Sequence, residues 1–230
     1  MTTTLITGAN KSLGYETARR LLAEGHDVWI ATRDEARGRA AAEELGARFV
    51  QLDVTDDDSV AAAVEIVAAE TGLDVLVNNA GISGGMVPVP EVTPSVLENV
   101  LATNVVGILR VTQAFVPLLS QSENPVIVNV SSGMGSLAVT TDPERLESSI
   151  VNVTYSPSKA AVNMLTSQYA KALPAMRVNA VDPGYTATDF NSHRGVKTVE
   201  QGADAIVRMA LLDGSGPTGT YVDDQGTVPW

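Results

Sequence analysis

Short apolar runs alternate with alanine-rich segments of helical spacing along almost the whole chain. The runs have the length of strands and are rich in β-branched residues: Val28 to Ala31, Phe49 to Leu52, Val75 to Val77, Val126 to Val130 and Val178 to Val181. Continuous apolar runs are typical of strands that are buried on both faces of a parallel sheet. The alternation predicts an α/β fold, a doubly wound parallel sheet of about seven strands with helices on both faces. Ligands of such sheets bind beyond the carboxyl ends of the strands, so we expect functional residues in the strand-to-helix loops.

Local signals mark the helices between these runs. Thr55-Asp56-Asp57-Asp58 and Thr93-Pro94-Ser95 are typical of helix starts, because they supply capping and first-turn residues. A first helix ends near Gly25, and its apolar stripe is formed by Gly14, Ala18, Leu21 and Leu22. The chain shows no repeats and no low-complexity linker, so we expect one domain.

The composition argues against several classes of protein. The absence of cysteine and the presence of only two histidines, His26 and His193, leave almost no ligands for zinc, so we expect no metal site. A net charge of −12 repels phosphate backbones and anionic lipids, so neither nucleic acid nor a membrane is an expected partner. No apolar run approaches the roughly 20 residues of a membrane span, and no signal peptide is visible. We therefore expect a soluble, cytoplasmic protein.

The first apolar strand runs into a glycine turn and then into the first helix. The turn reads Thr7-Gly8-Ala9-Asn10-Lys11-Ser12-Leu13-Gly14. Backbone N–H groups in such a turn and the positive end of the helix dipole point at one place, which suits a pyrophosphate. The spacing Gly8, Ser12, Gly14 does not satisfy the general fingerprint G-x-G-x-x-G. The alternative is a strand-to-helix turn that needs glycine only for its geometry.

The second strand ends without the carboxylate that usually binds the ribose 2′-hydroxyl of NAD. Thr32 and Arg33 stand there instead. A guanidinium forms forked hydrogen bonds with phosphate and Lys11 adds a second positive charge, so the pair favours the 2′-phosphate of NADP(H). Two alternatives stay open: Asp34 turns back to the ribose, or Arg33 is a solvated loop residue.

Polar residues also follow the third and fourth strands. Asp53 follows the third strand, and Asn78-Asn79-Ala80-Gly81 ends the fourth. Asparagine suits tight turns and Gly81 permits close approach, so both loops suit the walls of an adenine and ribose site. Ordinary turn chemistry is the alternative.

The stretch Tyr155-Ser156-Pro157-Ser158-Lys159 has the pattern of a proton-transfer pair. Pro157 fits the first turn of a helix, and the spacing of four places Tyr155 and Lys159 on one face. An adjacent ammonium stabilises a phenolate, so we expect Lys159 to lower the pKa of Tyr155. Upstream, the fifth strand runs into Ser131-Ser132, which places a hydroxyl at the sheet edge where it can bond a developing oxyanion. A serine pair at a strand end is otherwise an ordinary turn.

Together these motifs resemble those of the short-chain dehydrogenase/reductase family, over nearly the whole chain. They occur in the family's order: TGxxxGxG as Thr7-Gly8 to Gly14, NNAG as Asn78 to Gly81, the helix-four asparagine as Thr103-Asn104, the serine as Ser132, YxxxK as Tyr155 and Lys159, and PG as Pro183-Gly184. Within the family, the chain looks most like the NADPH-dependent carbonyl reductases. That likeness rests on residues 7–10, residues 31–34, residues 178–189 and the tail from Gly216 to Trp230.

The resemblance implies a role for each matched residue. Tyr155 would be the general acid in reduction, Ser132 would orient the carbonyl, Lys159 would also hold the nicotinamide ribose, and Asn104 would support a water in the proton relay. Asp53 would contact adenine. The residues implied to bind NADP(H) are Gly8, Asn10, Lys11, Ser12, Leu13, Gly14, Arg33, Asp53, Val54, Asn79, Ala80, Gly81, Tyr155, Lys159, Pro183, Gly184, Thr186 and Thr188. Residues 1–230 would form a single dinucleotide-binding and catalytic domain.

Two features depart from the commonest pattern of the family. Ser12 replaces the middle glycine, which brings a hydroxyl and a β-carbon next to the expected diphosphate. The segment from Leu137 to Thr154 is longer than in the commonest members, as it is in the carbonyl reductases. Within it Leu146, Ile150 and Val153 recur at helical spacing, which predicts an amphipathic stripe. The stripe either lies over the substrate cleft, which we favour because the excess is short, or covers a subunit interface.

The expected function is hydride transfer between NADPH and a ketone, aldehyde or secondary alcohol. The expected partner is thus a small carbonyl or alcohol molecule, with monomer or homo-oligomer undecided. A catalytically silent NADP-sensing protein is the alternative, although it has no reason to keep Asn104, Ser132, Tyr155 and Lys159 together. A nucleotide-sugar epimerase or dehydratase needs a substantial C-terminal substrate domain, whereas few residues follow Gly184.

Overall fold

The computed structural model describes residues 1–85 and 87–230, and its strands form one seven-stranded parallel sheet. The strands are β1 (Thr3–Thr7), β2 (Asp27–Thr32), β3 (Arg48–Gln51), β4 (Val75–Asn78), β5 (Val126–Val130), β6 (Arg177–Val181) and β7 (Tyr221–Val222). Their order across the sheet is β3-β2-β1-β4-β5-β6-β7, with every neighbouring pair parallel. The strand order reverses between β1 and β4, which creates the crevice where doubly wound sheets bind ligands. The predicted fold class is confirmed.

Helices cover both faces of the sheet. They are α1 (Ser12–Ala23), α2 (Glu35–Leu45), α3 (Asp57–Glu70), α4 (Pro94–Leu101), α5 (Gly107–Leu119), α6 (Leu137–Thr141), α7 (Tyr155–Ala172) and α8 (Val199–Ala210). Capping follows the sequence signals at α3, where the Asp56 carboxylate accepts hydrogen bonds from the backbone N–H groups of Asp58 and Ser59.

Two apolar cores lie on opposite faces of the sheet because successive strand residues point in opposite directions. Ile6 of β1 packs in the core shared with α1, α2 and α8, whereas its neighbour Leu5 packs in the core shared with α3, α5 and α7. Both side chains are fully buried, and each such burial contributes about 1.5–3 kcal/mol. The cores hold the sheet between two helical layers and leave its carboxyl edge to the loops.

Helices α4 and α5 form one continuous helix, Pro94–Leu119, joined by a π-helical turn at Ala102–Val106. By length and composition this 26-residue helix is apolar enough to cross a membrane, although it contains no continuous apolar run of the length that a membrane span needs. Charged residues interrupt the apolar sequence of this helix, but its mean hydropathy is still that of an apolar helix. In the fold its apolar side faces the sheet, where Val111 and Phe115 are fully buried.

The segment from Leu137 to Thr154 does not form the predicted stripe. After α6 the chain makes a short 3₁₀ helix at Leu146–Ser149, and the backbone is extended at Ile150. The Asn152 side chain explains this, because its Oδ1 accepts hydrogen bonds from the N–H groups of Thr154 and Tyr155 and so caps α7. The chain that leads into this cap is extended rather than helical. Leu146 and Val153 therefore form no buried stripe, and their side chains stay 51% and 42% exposed.

Candidate active site

The glycine turn after β1 lies directly against the loop after β4. Gly8 has a φ of +66°, and a Cβ on it would lie 3.0 Å from the Ala80 Cα atom. A Cβ on Gly14 would lie 2.6 Å from the Asn79 side-chain nitrogen. The turn therefore requires glycine at both positions, and it leads into the N-terminus of α1, where backbone N–H groups can receive an anion.

Ser12 stands at the first residue of α1 with a φ of +52°. This is the left-handed region, which costs a non-glycine residue about 1–2 kcal/mol. The backbone thus keeps the conformation that glycine would adopt at this place, although the side chain has changed.

A hydroxyl and an amide brace the same turn. Thr7 Oγ1 accepts hydrogen bonds from the backbone N–H groups of Asn79 and Ala80, each at 3.0 Å. The Asn79 side chain donates to the carbonyl oxygens of Thr7 (2.9 Å) and Gly8 (3.2 Å). Asn79 therefore fixes the shape of the turn, and Asn78 bonds Thr112 and Asn129 beneath the sheet edge. Sequence analysis missed Thr7, whose signal was a hydroxyl at the last position of β1.

The loop after β2 presents exposed cations. Arg33 is exposed, while the Asp34 carboxylate accepts the N–H of Arg37 and caps α2, so Asp34 does not turn toward a ribose here. Arg37, which sequence analysis did not single out, lines a cavity of about 450 Å³ with Asn10 and Lys11. Asn10 and Lys11 of the glycine turn and Arg37 of α2 thus line one cavity.

Asp53 and Val54 follow β3 at the adenine end of the expected site. Burial acts to raise the pKa of Asp53, but hydrogen bonds from Thr55 hold the pKa below its ordinary value. The carboxylate therefore stays ionised at neutral pH. Val54 is buried against Gly107.

Asn104 lies at the centre of the π turn and is fully buried. Its Oδ1 accepts the N–H of Ile82 at 2.8 Å, and its Nδ2 donates to the Ile82 carbonyl at 2.9 Å and to Ser158 Oγ at 3.0 Å. A Cβ on Gly81 would lie 3.3 Å from Oδ1 and 3.8 Å from Lys159 Nζ. Asn104 thus connects the loop after β4 to α7, and its Oδ1 faces toward the lysine.

Tyr155, Lys159 and Ser132 come together at the ends of β5 and α7. The Ser132 side chain lies close enough to the Tyr155 phenol to act on its pKa, which it lowers. Lys159 Nζ lies 5.6 Å from the centre of the Tyr155 ring and donates to the Val130 carbonyl at 2.7 Å. A Cβ on Gly135 would lie 2.6 Å from the Lys159 backbone, so glycine there lets the loop approach α7.

The charges around this pair differ from the expectation. Burial raises the pKa of Tyr155, Ser132 acts to lower it, and the charge of Asp182 acts to raise it. Burial also lowers the pKa of Lys159 to about 8, against an opposing effect of Asp182. The prediction that Lys159 brings the Tyr155 pKa down is therefore wrong for this structure, because burial outweighs an ammonium that is bound to a carbonyl.

Two carboxylates that sequence analysis missed lie beside Ser132. A Cβ on Gly133 would lie 3.0 Å from Asp182 Oδ2 and 2.8 Å from Glu147 Oε1. Asp182 precedes the Pro-Gly pair after β6, and Glu147 belongs to the short 3₁₀ helix of the long segment. The segment from Leu137 to Thr154 therefore reaches the residue next to Ser132, as a cleft wall should.

The loop after β6 crosses over the other elements of the cleft. Pro183 and Thr186 are buried, Gly184 has a φ of +71°, and Thr188 begins a short 3₁₀ helix at Asp189–Asn191. Thr186 lies against Leu13, because a Cβ on Gly202 of α8 would touch both side chains. The loop thereby packs on the start of α1.

Two contacts close this loop onto the cleft. Asp189 pairs with Lys11 of the glycine turn at 2.8 Å, which occupies the ammonium that was expected to reach a phosphate. Phe190 meets Tyr155 edge to face, with ring centroids 5.3 Å apart. The loop therefore touches both the expected phosphate end and the reactive end of the site.

A tyrosine and a lysine one helical turn apart, beside a strand-end serine on a doubly wound sheet, define an oxidoreductase of the Rossmann type. The comparisons with known proteins agree with this class. A family model described as short chain dehydrogenase matches residues 2–198. The chain therefore belongs to the short-chain dehydrogenase family and is an oxidoreductase.

Individual relatives extend the comparison. The chain is 35% identical to (+)-neomenthol dehydrogenase of Arabidopsis thaliana over 90% of each chain. It is 26% identical to the 3-ketoacyl-(acyl-carrier-protein) reductase of Brucella melitensis complexed with NADH, with a TM-score of 0.83 and coverage of 97% and 96%. It is 25% identical to an actinorhodin polyketide ketoreductase with NADPH, with a TM-score of 0.83 and coverage of 97% and 95%.

Proposed function

We propose that this protein reduces a ketone or aldehyde to an alcohol, or catalyses the reverse, with NADP(H) as cofactor and Tyr155 as general acid/base. The observation that carries the proposal is that Tyr155, Lys159 and Ser132 meet at the ends of β5 and α7, with Lys159 Nζ 5.6 Å from the centre of the Tyr155 ring. The names of the relatives support the substrate class, because they include a dehydrogenase of an alcohol and two ketoreductases.

The residues present fit a nicotinamide dinucleotide. The turn from Gly8 to Gly14 leaves no room for side chains at its glycines, so a diphosphate can approach the backbone at the start of α1. Lys159 donates to one carbonyl, so the ammonium has donors left for ribose hydroxyls. The further residues expected to hold the cofactor are Asn10, Ser12, Leu13, Arg33, Asp53, Val54, Asn79, Ala80, Gly81, Pro183, Gly184, Thr186 and Thr188. When bound, the cofactor supplies or accepts the hydride.

The protein side chains then carry the proton and orient the carbonyl. A phenol whose pKa is raised keeps its proton at neutral pH, which suits Tyr155 as the donor in reduction. The Ser132 hydroxyl, which lies close to the same phenol, can donate to the carbonyl oxygen as negative charge develops there. Lys159 lies beside the phenol, and with a water supported by Asn104 it can return a proton to Tyr155.

The test is a screen of ketones and aldehydes followed by the loss of NADPH absorbance, with NADPH binding measured separately by fluorescence. The proposal expects turnover of at least one compound. NADPH binding without turnover of any compound would instead favour the NADP-sensing alternative.

We expect NADPH to be used at least about tenfold better than NADH in kcat/KM, a difference of about 1.4 kcal/mol. The reason is the exposed Arg33 directly after β2, together with Lys11 and Arg37, which line one cavity. Arg33→Ala should bring the ratio close to one. Arg39→Ala is the matched control, because Arg39 pairs with Glu35 on the outer side of α2 and its loss should leave the ratio unchanged. Equal efficiencies in the wild type would contradict the prediction.

Removal of residues 143–151 should change KM and substrate preference while the affinity for NADPH stays nearly intact. This deletion keeps the Asn152 cap but removes Glu147, which reaches Gly133. Steady-state kinetics on two substrates and NADPH titration measure the effects. A changed assembly state in sedimentation, with unaltered substrate kinetics, would assign the segment to a subunit interface instead.

A further inference from the structure

Asp182 is a nearly buried carboxylate, 3% exposed, at the first position after β6. Its Oδ1 accepts the N–H of Gly184 at 2.8 Å. Its Oδ2 lies 3.0 Å from the place of a Cβ on Gly133, and the Gly133 amide acts to lower the pKa of this carboxyl. One side chain therefore lies against the backbone of two strand-end loops.

These two loops carry the two halves of the proposed reaction. Gly133 directly follows Ser132, whose side chain acts on Tyr155. Gly184 directly follows Pro183 in the loop expected to face the nicotinamide. A carboxylate that lies against both loops sets the distance between the serine and that face of the site, and charge-assisted hydrogen bonds to backbone amides are well suited to this.

The charge of Asp182 also lies close to the Tyr155–Lys159 pair. Lys159 Nζ is anchored on the carbonyl of Val130, and Val130 is paired with Val181, the residue before Asp182.

Within residues 1–85 and 87–230, Asp182 makes no ion pair. Burial raises the pKa of Asp182 and the charges of Glu147 and Asp223 act in the same direction, while the backbone amides of Gly184 and Gly133 act to lower it. The charged form of Asp182 is thus stabilised by these two amides, without an ion-pair partner among the described residues.

The titratable groups around this carboxyl come from three elements. Tyr155 and Lys159 lie on α7 and Glu147 lies on the 3₁₀ helix, while Tyr221 and Asp223 belong to the end of β7. The Tyr221 hydroxyl is buried without a hydrogen-bond partner in the described part of the chain. Lys159 is the one cation in this set, and Asp182 is the one carboxylate of the set whose charge acts on the pKa of Lys159.

We propose that Asp182 is a positioning residue that holds the Ser132 loop against the loop after β6, and that its carboxylate charge acts on the Tyr155–Lys159 pair. The inference rests on the proposed function for its meaning in catalysis. It concerns a side chain outside the four residues that the family pattern supplies.

The charge part is tested in the cofactor-free protein. The chain has four lysines, so Lys159 can be followed by NMR of ¹³C-lysine-labelled protein and assigned by its loss in Lys159→Met. The wild-type pKa of Lys159 is expected near the value of about 8 that burial produces. In Asp182→Asn it should fall by about 1 pH unit, because an attractive charge is lost. An unchanged Lys159 titration in Asp182→Asn overturns the charge part.

Asp223→Asn is the matched control. Asp223 stands at the end of β7, and its Oδ1 accepts two backbone amides, from Gln225 at 2.7 Å and Gly226 at 2.9 Å. The Asp223→Asn variant also loses one negative charge and one carboxylate that binds loop amides, but it leaves the loop of Ser132 unchanged. Its Lys159 titration and kinetics should match the wild type, and an effect equal to that of Asp182→Asn would overturn the inference.

The positioning part is tested by kinetics of carbonyl reduction. Asp182→Asn should lower kcat by about tenfold to a hundredfold with little change in NADPH affinity. Its alkaline loss of kcat/KM should begin at lower pH than in the wild type, because the Tyr155 phenol then ionises more readily. A purely structural role would lower kcat without moving the pH profile.

Asp182→Glu separates position from charge and serves if the Asn variant does not fold. It keeps the charge but displaces it by one methylene, so Lys159 should titrate nearly as in the wild type while kcat falls. Wild-type kcat in Asp182→Glu would overturn the positioning part. If the wild type reduces no carbonyl compound at all, the proposed function fails, whereas the Lys159 titration still decides on the charge of Asp182.

Discussion

Tyr155→Phe is expected to lower kcat for carbonyl reduction by about 10³-fold while NADPH binds as before. The ring packs against Phe190 and lies beside Lys159, and these contacts need no hydroxyl. Only the proton donor is lost. Single-turnover reduction and a fluorescence titration with NADPH measure the two quantities.

Tyr169→Phe is the control for this substitution. Tyr169 lies about four turns further along the same helix, is also largely buried, and its hydroxyl accepts a hydrogen bond from Gln113 at 3.2 Å. Loss of this hydroxyl should lower the free energy of unfolding by about 1 kcal/mol and leave kcat unchanged. A Tyr155→Phe variant that keeps more than about a tenth of the wild-type kcat would refute the assignment of Tyr155.

Lys159→Met is expected to lower kcat by at least about a hundredfold and to remove a pH-dependent part of the folding stability. The pKa of Lys159 falls from 10.5 to about 8 in the folded protein, because its ammonium is buried. Below pH 8 both folded and unfolded chains hold the proton, so the folded state bears the full cost of the buried charge. Between pH 8 and 10.5 the folded state has released the proton and the unfolded state has not, so stability rises with pH by up to about 3 kcal/mol.

Urea unfolding of the cofactor-free protein at several pH values from 7 to 10 measures this effect. The wild type should gain stability over that range relative to Lys159→Met, which has no ammonium to neutralise. Above pH 10 the buried tyrosines act in the opposite direction, because burial raises the pKa values of Tyr155 and Tyr221. Lys171→Met, an exposed position on the same helix, should behave like the wild type. Parallel pH profiles of wild type and Lys159→Met would contradict the prediction.

The parts of the fold that depend on local chemistry were predictable from the sequence. The β-branched runs specify buried strands wherever both faces of the sheet are covered, and Asp56 caps α3 where the sequence places a cap. The prediction of an amphipathic stripe at Leu146, Ile150 and Val153 was wrong because Asn152 caps α7 and so prevents helix formation just before it. The long apolar helix was not predicted because polar residues interrupt its apolar runs, although its mean hydropathy stays high.

The candidate site also has parts that could be predicted from the sequence and parts that could not. The spacing of Tyr155 and Lys159 is a local property of a helix, so their proximity followed from the sequence. Contacts between distant loops did not follow, such as Asp189 with Lys11, which are 178 residues apart. The pKa of Tyr155 also depends on its burial and on Asp182, and neither is encoded near the tyrosine itself.

The π turn at Ala102–Val106 makes Asn104 depend on the number of residues in its helix. Each residue of an α-helix turns the following side chain by about 100°, and a π turn holds one residue more than an α-turn. Deleting one residue there would rotate Asn104 or α4 away from Ile82 even if every remaining side chain were kept. Substitution of Val106, which is 42% exposed, changes no such angle. The number of residues in this stretch is therefore constrained as well as the identity of Asn104, and a single deletion beside Asn104 would displace this side chain without replacing it.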